Sequence, residues 1–276
     1  MELLFWNMGK NDNAALALEC MCGNGVSVAA FAEYSGTEFS DELLRGTGYR
    51  VLGFGGCDKI QVFVDRAVDV INCFEESRFT VFALVCSGVR FVFAATHLVD
   101  RMSSPGAQPR LEDIRQMMDV VHGYELSLGI DKTVVMGDFN ANPYDEELLL
   151  PSAFNAMLFK GILRARGSRI WHGKSYPFMY NPTVNWLSED TETYGSHYYS
   201  SGDGTSPVWN CYDQALVSRM LMDGVRGYRY LRRIGETDLT DMAPMWHPRM
   251  NKRLKPTGVQ AISRKPVWWR GECGHV

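Results

Sequence analysis

Two polar side chains, Asp138 and Asn140, close the apolar run Thr133-Val134-Val135-Met136-Gly137, with one residue between them. Asn7, Glu33 and His97 stand at the ends of other apolar runs, and Asp213 stands at the beginning of one. Such a set can hold one hard divalent cation through a carboxylate and an amide. Mg²⁺ takes oxygen ligands and keeps several waters, with Mn²⁺ as an alternative. The set suits zinc poorly, because no paired His/Cys ligands accompany it. It can also supply a base for water and donors to a phosphoryl oxygen. Each residue has a plainer reading as well. Asp138 and Asn140 could close an Asx-turn on local backbone, and a histidine beside an apolar run is commonly a satisfied structural residue. Repetition of the same layout on several runs favours chemistry.

The elements that must position these groups follow from patterning. Glu2 to Trp6 reads as a strand delivering Asn7, and Asp12 to Met21 as a short helix entering Gly23-Asn24-Gly25. Val26 to Ala32 reads as a buried strand ending on Glu33. Strand-like runs at 60–65, 67–74 and 78–86 precede Gly88 and the run that ends at His97, which predicts antiparallel meanders. Residues 99–110 read as a loop. Apolar positions 111, 114, 117, 118 and 121 then predict a helix from Leu111 to Leu128. In the strand that follows, Asp138 and Asn140 would point to one face. Asp145 to Leu158 predicts a further helix, broken or kinked at Pro151. The stretch 171–212 is rich in aromatics, which could stack on bases or sugars or serve as the loop's own small core. Cys211 to Ser218 restores a strand.

Composition sets outer limits. A hydrophobic content of 46% and a charged content of 22% suit a globular chain with a substantial core. No run approaches the ~18 apolar residues of a membrane-spanning helix. The first residues lack the pattern of a secretory signal. Seven cysteines, with only a lone CxC at Cys20-Met21-Cys22, predict free thiols in a reducing cytoplasm. Residues 1–218 carry 16 Lys/Arg against 27 Asp/Glu, whereas residues 219–276 carry 12 against 5. That basic, atypical C-terminal segment could meet phosphates or could be a solvated tail. No repeat or linker divides residues 1–276, so a single domain is expected.

Phe5-Trp6-Asn7, Phe31-Ala32-Glu33, Ala95-Thr96-His97-Leu98, Gly137-Asp138-Phe139-Asn140 and Tyr212-Asp213-Gln214 resemble, in order, motifs of the endonuclease/exonuclease/phosphatase superfamily. That superfamily includes pancreatic-type deoxyribonuclease, abasic-site exonucleases, neutral sphingomyelinases and inositol polyphosphate 5-phosphatases. Tyr180-Asn181-Pro182 and Gly195-Ser196-His197-Tyr198-Tyr199 further resemble uncharacterised bacterial members. The resemblance implies an α+β fold, a four-layer α/β/β/α sandwich of two mixed, largely antiparallel sheets flanked by helices. It implies Glu33 as the principal Mg²⁺ ligand, with Asn7 beside it. Asp138 would orient or deprotonate the attacking water, and Asn140 would donate to the substrate or the developing phosphorane. His97 would bind the phosphate or assist the leaving group, and Asp213 would orient a second histidine. Arg115, Tyr180, Asn181, Tyr198 and Trp209 are candidate substrate contacts.

The chain departs from the superfamily at its end. The closing Ser-Asp-His motif is absent, since no Asp-His pair occurs in the sequence. His247 or His275 would have to substitute, or the chain is catalytically impaired. Asn251 to Pro256 looks like the lead-in to the last core strand, while Trp268-Trp269-Arg270 does not resemble the family. The resemblance thus implies a Mg²⁺-dependent phosphodiester hydrolase, in the first place a nuclease with DNA or RNA as partner. The alternatives are a phosphatase or phosphodiesterase on a lipid headgroup or small phosphoester, and a nuclease-like binding module without activity.

Overall fold

The structure, a computed structural model, describes residues 1–9, 13–34, 44–53, 55–189, 195–199, 208–231, 233–239 and 267–271. The first third of the chain supplies β1 (Glu2–Asn7), α1 (Ala14–Asn24), β2 (Val28–Ala32), β3 (Tyr49–Leu52) and β4 (Ile60–Asp65). Next come β5 (Val68–Glu76), β6 (Phe79–Cys86), β7 (Val89–His97), α2 (Gln108–Leu128) and β8 (Thr133–Asp138). Then follow α3 (Glu146–Leu149), β9 (Ala156–Met157), α4 (Lys160–Arg166), the hairpin β10 (Ser168–Trp171) and β11 (Lys174–Pro177), and β12 (Met179–Tyr180). The last part holds α5 (Thr183–Glu189), β13 (His197–Tyr199), β14 (Val208–Asn210), β15 (Asp213–Ser218), β16 (Val225–Tyr230), β17 (Arg233–Ile234), β18 (Thr237–Asp238) and β19 (Val267–Gly271).

Strict alternation of apolar side chains decides how these elements stack. The first sheet has the order β16-β19-β1-β2-β4-β3, and the second β5-β6-β7-β8-β15-β12-β9. Leu3 and Phe5 of β1 face the second sheet, where they meet Phe93, Val134, Met136 and Ala215 in one continuous core. Leu4 and Trp6 point the other way, onto Ala17, Leu18 and Met21 of α1. On the far face of the second sheet, Val92 and Val135 pack against Leu111, Ile114 and Met118 of α2. Helix, sheet, sheet and helix therefore form four layers. Both sheets are mixed and mostly antiparallel, with β1–β2, β7–β8 and β9–β12 as the parallel pairs. The expected fold class is the observed one. Among the described residues, no helix is long and apolar enough to cross a membrane.

One local expectation fails for a physical reason. The helix expected over Asp145 to Leu158 stops at Leu149, and a turn leads to β9 instead. Pro151 disfavours helical dihedrals in the residue before it, and Leu150 is accordingly extended at φ −63° and ψ 135°. The C-terminal end adds a strand that the sequence reading did not name. Val267–Gly271 is a strand between β1 and β16, with Phe5 opposite Val267 and Glu2 opposite Arg270. Of the described parts of the basic segment, β16 and β19 are thus built into the first sheet, while β17 and β18 pair with each other. Five residues, one of them Arg270, are too few to show a legible period.

Gly137 matters to how β7 and β8 meet. A Cβ there would stand 2.2 Å from the Thr96 carbonyl oxygen and 2.8 Å from Thr96 Cγ2. Only glycine lets the two parallel strands approach at the level where they deliver His97 and Asp138. Gly137→Ala is expected to destabilise the chain by about 2–3 kcal/mol through overpacking. A thermal melt superimposing on that of the parent chain would refute this account.

Candidate active site

Strand parity aims the candidate residues before any of them touch. Phe93 and Ala95 of β7, Val134 and Met136 of β8, and Ala215 and Val217 of β15 all face the inter-sheet core. His97, Asp138 and Asp213 lie an even number of residues from them, and Asn7 likewise from Leu3 and Phe5. All four therefore point between the sheets. They do so at one end, because His97 and Asp213 both stand opposite Asp138 in the registers of their strands. Glu33 breaks the parity, since Ala32 already faces inward and plain alternation would send the next side chain toward α1. A positive φ of 50° turns it back, a conformation costing a non-glycine residue on the order of 1–2 kcal/mol.

The contacts form a closed cluster. Asn7 Nδ2 donates to Asp138 Oδ2 at 3.0 Å and lies 3.3 Å from Glu33 Oε1. His97 Nε2 stands 3.6 Å from the same Glu33 oxygen and 3.7 Å from the same Asp138 oxygen. The Asn7 amide is oriented unambiguously, because its Oδ1 accepts the Gly9 N–H at 3.0 Å. Its nitrogen, not its oxygen, faces the carboxylates. Asp138 is fully buried and divides its work between two oxygens. While Oδ2 faces Asn7 and His97, Oδ1 accepts the Asn140 N–H at 3.0 Å. The Asx-turn and the inward-facing carboxylate are thus one arrangement, not competing ones.

Asn140 does not share a face with Asp138, because β8 ends at Asp138 and Asn140 adopts φ 46°. Its side-chain amide donates to the Leu98 carbonyl at 2.7 Å, and its own carbonyl accepts Arg101 Nε at 2.8 Å. The 99–110 loop is in turn held from beneath. Arg101 Nη2 contacts Asp145 Oδ2 at 2.5 Å and Glu147 Oε1 at 3.6 Å, while Arg110 Nε meets Glu147 at 2.7 Å. Arg110 also donates to the carbonyls of Val99, Ser104 and Gly106.

The remaining candidates divide. Tyr180 is buried in the inter-sheet core, and its hydroxyl accepts Asn185 Nδ2 at 3.1 Å. Asn181 is fully buried and donates to Gln214 Oε1, which extends by Gln214 Nε2 to the Ala141 carbonyl. Asn181 thus serves the frame behind Asn140, whereas Tyr180 belongs to the core at the other end of β8. Arg115 lies on α2 beside Ser152, outside the cluster. Trp209 is half-buried on β14, opposite Tyr198 of β13. The Tyr198 side chain, His247 and His275 lie outside the described residues. Sequence reasoning passed over His197, whose ring stacks on Tyr212 at 5.4 Å, next to Asp213. Its neighbour Ser196 accepts the Asp213 N–H at 3.0 Å. The Gly195–Tyr199 motif was the signal that could have singled His197 out.

The donor set admits a hard cation. Among the described residues no three His, Cys, Asp or Glu side chains form a metal cage by themselves. Mg²⁺ needs none, since one or two carboxylates, waters and substrate oxygens complete its octahedron. Glu33, partly open to solvent, and Asp138 offer carboxylate oxygens of that kind.

No family model and no curated protein matches the sequence. Solved structures do match in fold. An endonuclease/exonuclease/phosphatase family protein from Bacteroides thetaiotaomicron is similar at a TM-score of 0.59 with 11% identity, covering 100% of this chain and 98% of its own. A mannosyl-6-phosphatase from the same organism aligns at 0.58 and 12% identity over 98% of each chain. A 3′ phosphatase from Neisseria, bound to a product DNA hairpin, aligns at 0.54 and 15% identity over 99% of each. The chain has the fold to which these proteins belong.

The buried Arg110–Glu147 pair generates a test of the loop support. Glu147→Ala strands a buried guanidinium and is expected to destabilise the chain by about 3 kcal/mol. Urea unfolding should show it as a lowered midpoint at constant slope. A loss within about 0.5 kcal/mol, the range of ordinary surface substitutions, would mean that the pair does not hold the loop.

Proposed function

We propose that this protein is a Mg²⁺-dependent phosphoester hydrolase of the endonuclease/exonuclease/phosphatase superfamily, acting as a nuclease on DNA or RNA. One observation carries the reading. Asn7, Glu33, His97, Asp138 and Asp213, from five separate strands or their ends, turn inward at the same end of two packed sheets. A structural role needs no such convergence of three carboxylates and an imidazole.

The chemistry follows from what each residue can do. Glu33 would hold the cation, which when bound would neutralise charge on a phosphoryl oxygen. Asn7 holds the Glu33 and Asp138 oxygens at a fixed separation through one amide nitrogen. Asp138 Oδ2 would orient a water and accept its proton, since Oδ1 is committed to the Asn140 N–H. His97 Nε2 lies within reach of both carboxylates and can donate to a phosphoryl oxygen entering between them. Phosphoryl transfer asks mainly for positioning and charge stabilisation, which this rigid set supplies.

A second reading has its own support. The mannosyl-6-phosphatase of like fold makes a small phosphomonoester a substrate class worth the same assay. A lipid headgroup belongs to that class as well.

Hydrolysis of single- and double-stranded DNA and RNA, a sugar phosphate and a chromogenic phosphodiester should be measured with Mg²⁺, with Mn²⁺ and with EDTA. Turnover should require the metal, and Asp138→Asn or Glu33→Gln should each lower it by about 10³-fold. Turnover that survives EDTA and both substitutions would sink the mechanism. Nucleic-acid binding without turnover on any substrate would leave a binding module that has kept the fold.

A further inference from the structure

The chain carries a second concentration of cationic and aromatic side chains that the carboxylate cluster does not use. Residues 160–176 hold Lys160, Arg164, Arg166, Arg169 and Lys174 and no acidic residue, within the otherwise acidic first 218 residues, and Asp223 pairs with Lys160 and Arg164. Their centre is the hairpin β10–β11, which exposes Ile170 at 77% and Trp171 at 40%. Large apolar side chains this open need a reason, and here they sit beside cations.

A cleft of about 190 Å³ lies between this hairpin, α2 and the turn at 151–154. Helical spacing brings Arg115, Asp119 and His122 to one face of α2, and all three line the cleft. Lys174, Ser152 and Tyr176 face them. Arg115 Nη2 donates to Ser152 Oγ at 3.4 Å, and Lys174 Nζ sits 5.0 Å over the Tyr176 ring. Among the described residues neither cation is ion-paired. His122 is already paired with Glu125 at 2.8 Å, which leaves Asp119 as the carboxylate lining the cleft against the cations Arg115 and Lys174, so the charge balance favours an anion. The exposed Trp171 lies 6.3 Å from Tyr176 and offers a flat platform beside the cleft. Together these are the two elements of nucleic-acid binding, cations for phosphate and an aromatic for a base.

We infer that the cleft between α2 and the β10–β11 hairpin binds a backbone phosphate of a nucleic-acid strand, with Trp171 stacking on an adjacent base. Arg115 and Lys174 neutralise the phosphate, and Ser152 supplies a hydroxyl donor. The cleft is separate from the carboxylate cluster. The hairpin leads into β12, whose Met179 pairs with Ser218 at the end of β15 opposite Asp213, five residues or roughly 17 Å along the strand. The inference rests on the proposed nuclease reading for its ligand class and gives that site a means of holding substrate away from the scissile bond.

The test is binding of labelled single-stranded and duplex oligonucleotides to the full chain in EDTA, by fluorescence anisotropy over a salt series. Arg115→Ala with Lys174→Ala is expected to weaken binding at least tenfold and to lessen the log–log salt slope by about 0.7 on single strands and about 0.9 on duplex. Trp171→Ala, a substitution at an exposed position, should weaken it at least fivefold, the lower end for a stacked base. Unchanged affinity and slope in the double variant would overturn the inference, as would a parent chain that binds no oligonucleotide. Loss of binding to phosphatidylserine vesicles alone, with oligonucleotide affinity intact, would assign the cleft to a membrane surface and overturn it too. Because binding is read without metal, the two proposals fail separately. Metal-dependent hydrolysis with cleft-independent binding removes the cleft, whereas cleft-dependent binding without hydrolysis removes the nuclease.

Discussion

Everything at the centre of this protein depends on one contact between sheets. The Asn7 amide on the first sheet reaches Asp138 on the second, 131 residues away along the chain, in a position closed to solvent. A carboxylate buried between apolar layers is costly unless its oxygens are satisfied. Asn7 and the Asn140 N–H meet that demand from opposite sides. The neighbouring strands complete the setting from the backbone. Leu98 N–H donates to the Asp138 carbonyl at 3.0 Å, and Phe139 N–H to the Tyr212 carbonyl at 2.8 Å. Asp138 thus sits among three strands of its own sheet and one of the other. Its geometry cannot drift without disturbing the core.

Where alternation cannot deliver a group, backbone conformation does. Glu33 and Asn140 both occupy the left-handed region that non-glycine residues rarely adopt. Both lie immediately beyond a strand that feeds the cluster. In the first case the turn aims a carboxylate inward. In the second it lets an amide tie two loops together through Leu98. Such conformations persist where surrounding structure over-determines them, and the Arg101–Asp145–Glu147–Arg110 set supplies that constraint around Asn140. Rigid support beneath loops that carry polar groups is the usual division of labour between scaffold and site.

Some of this was legible in the residues alone. Apolar runs closed by Asn7, Glu33, His97 and Asp138 announced strands with polar ends, and 60–65 as a strand agrees with β4. The helical spacing of Leu111, Ile114, Met117 and Val121 likewise matches the buried face of α2. The short pieces were not legible. β9 and β12, two residues each, and the strand at Val267–Gly271 exist because neighbours offer them a ladder, and no local preference of so few residues could show that. The aromatic stretch divides for the same reason. Phe178 and Tyr180 enter the inter-sheet core while Trp171 stays open, although their local sequences look alike.

Which side chains could do chemistry, and on which parity of each strand they stand, was readable from the residues, because alternation is a local property of an extended backbone. Only the tertiary structure decided that four of those parities face one another across a single gap. It likewise decided that Glu33 is turned back into that gap, and that Asn140 serves the loop rather than sharing a face with Asp138. Those outcomes depend on register between strands far apart in the chain and on which buried polar atoms remain to be satisfied. No window of residues contains that information.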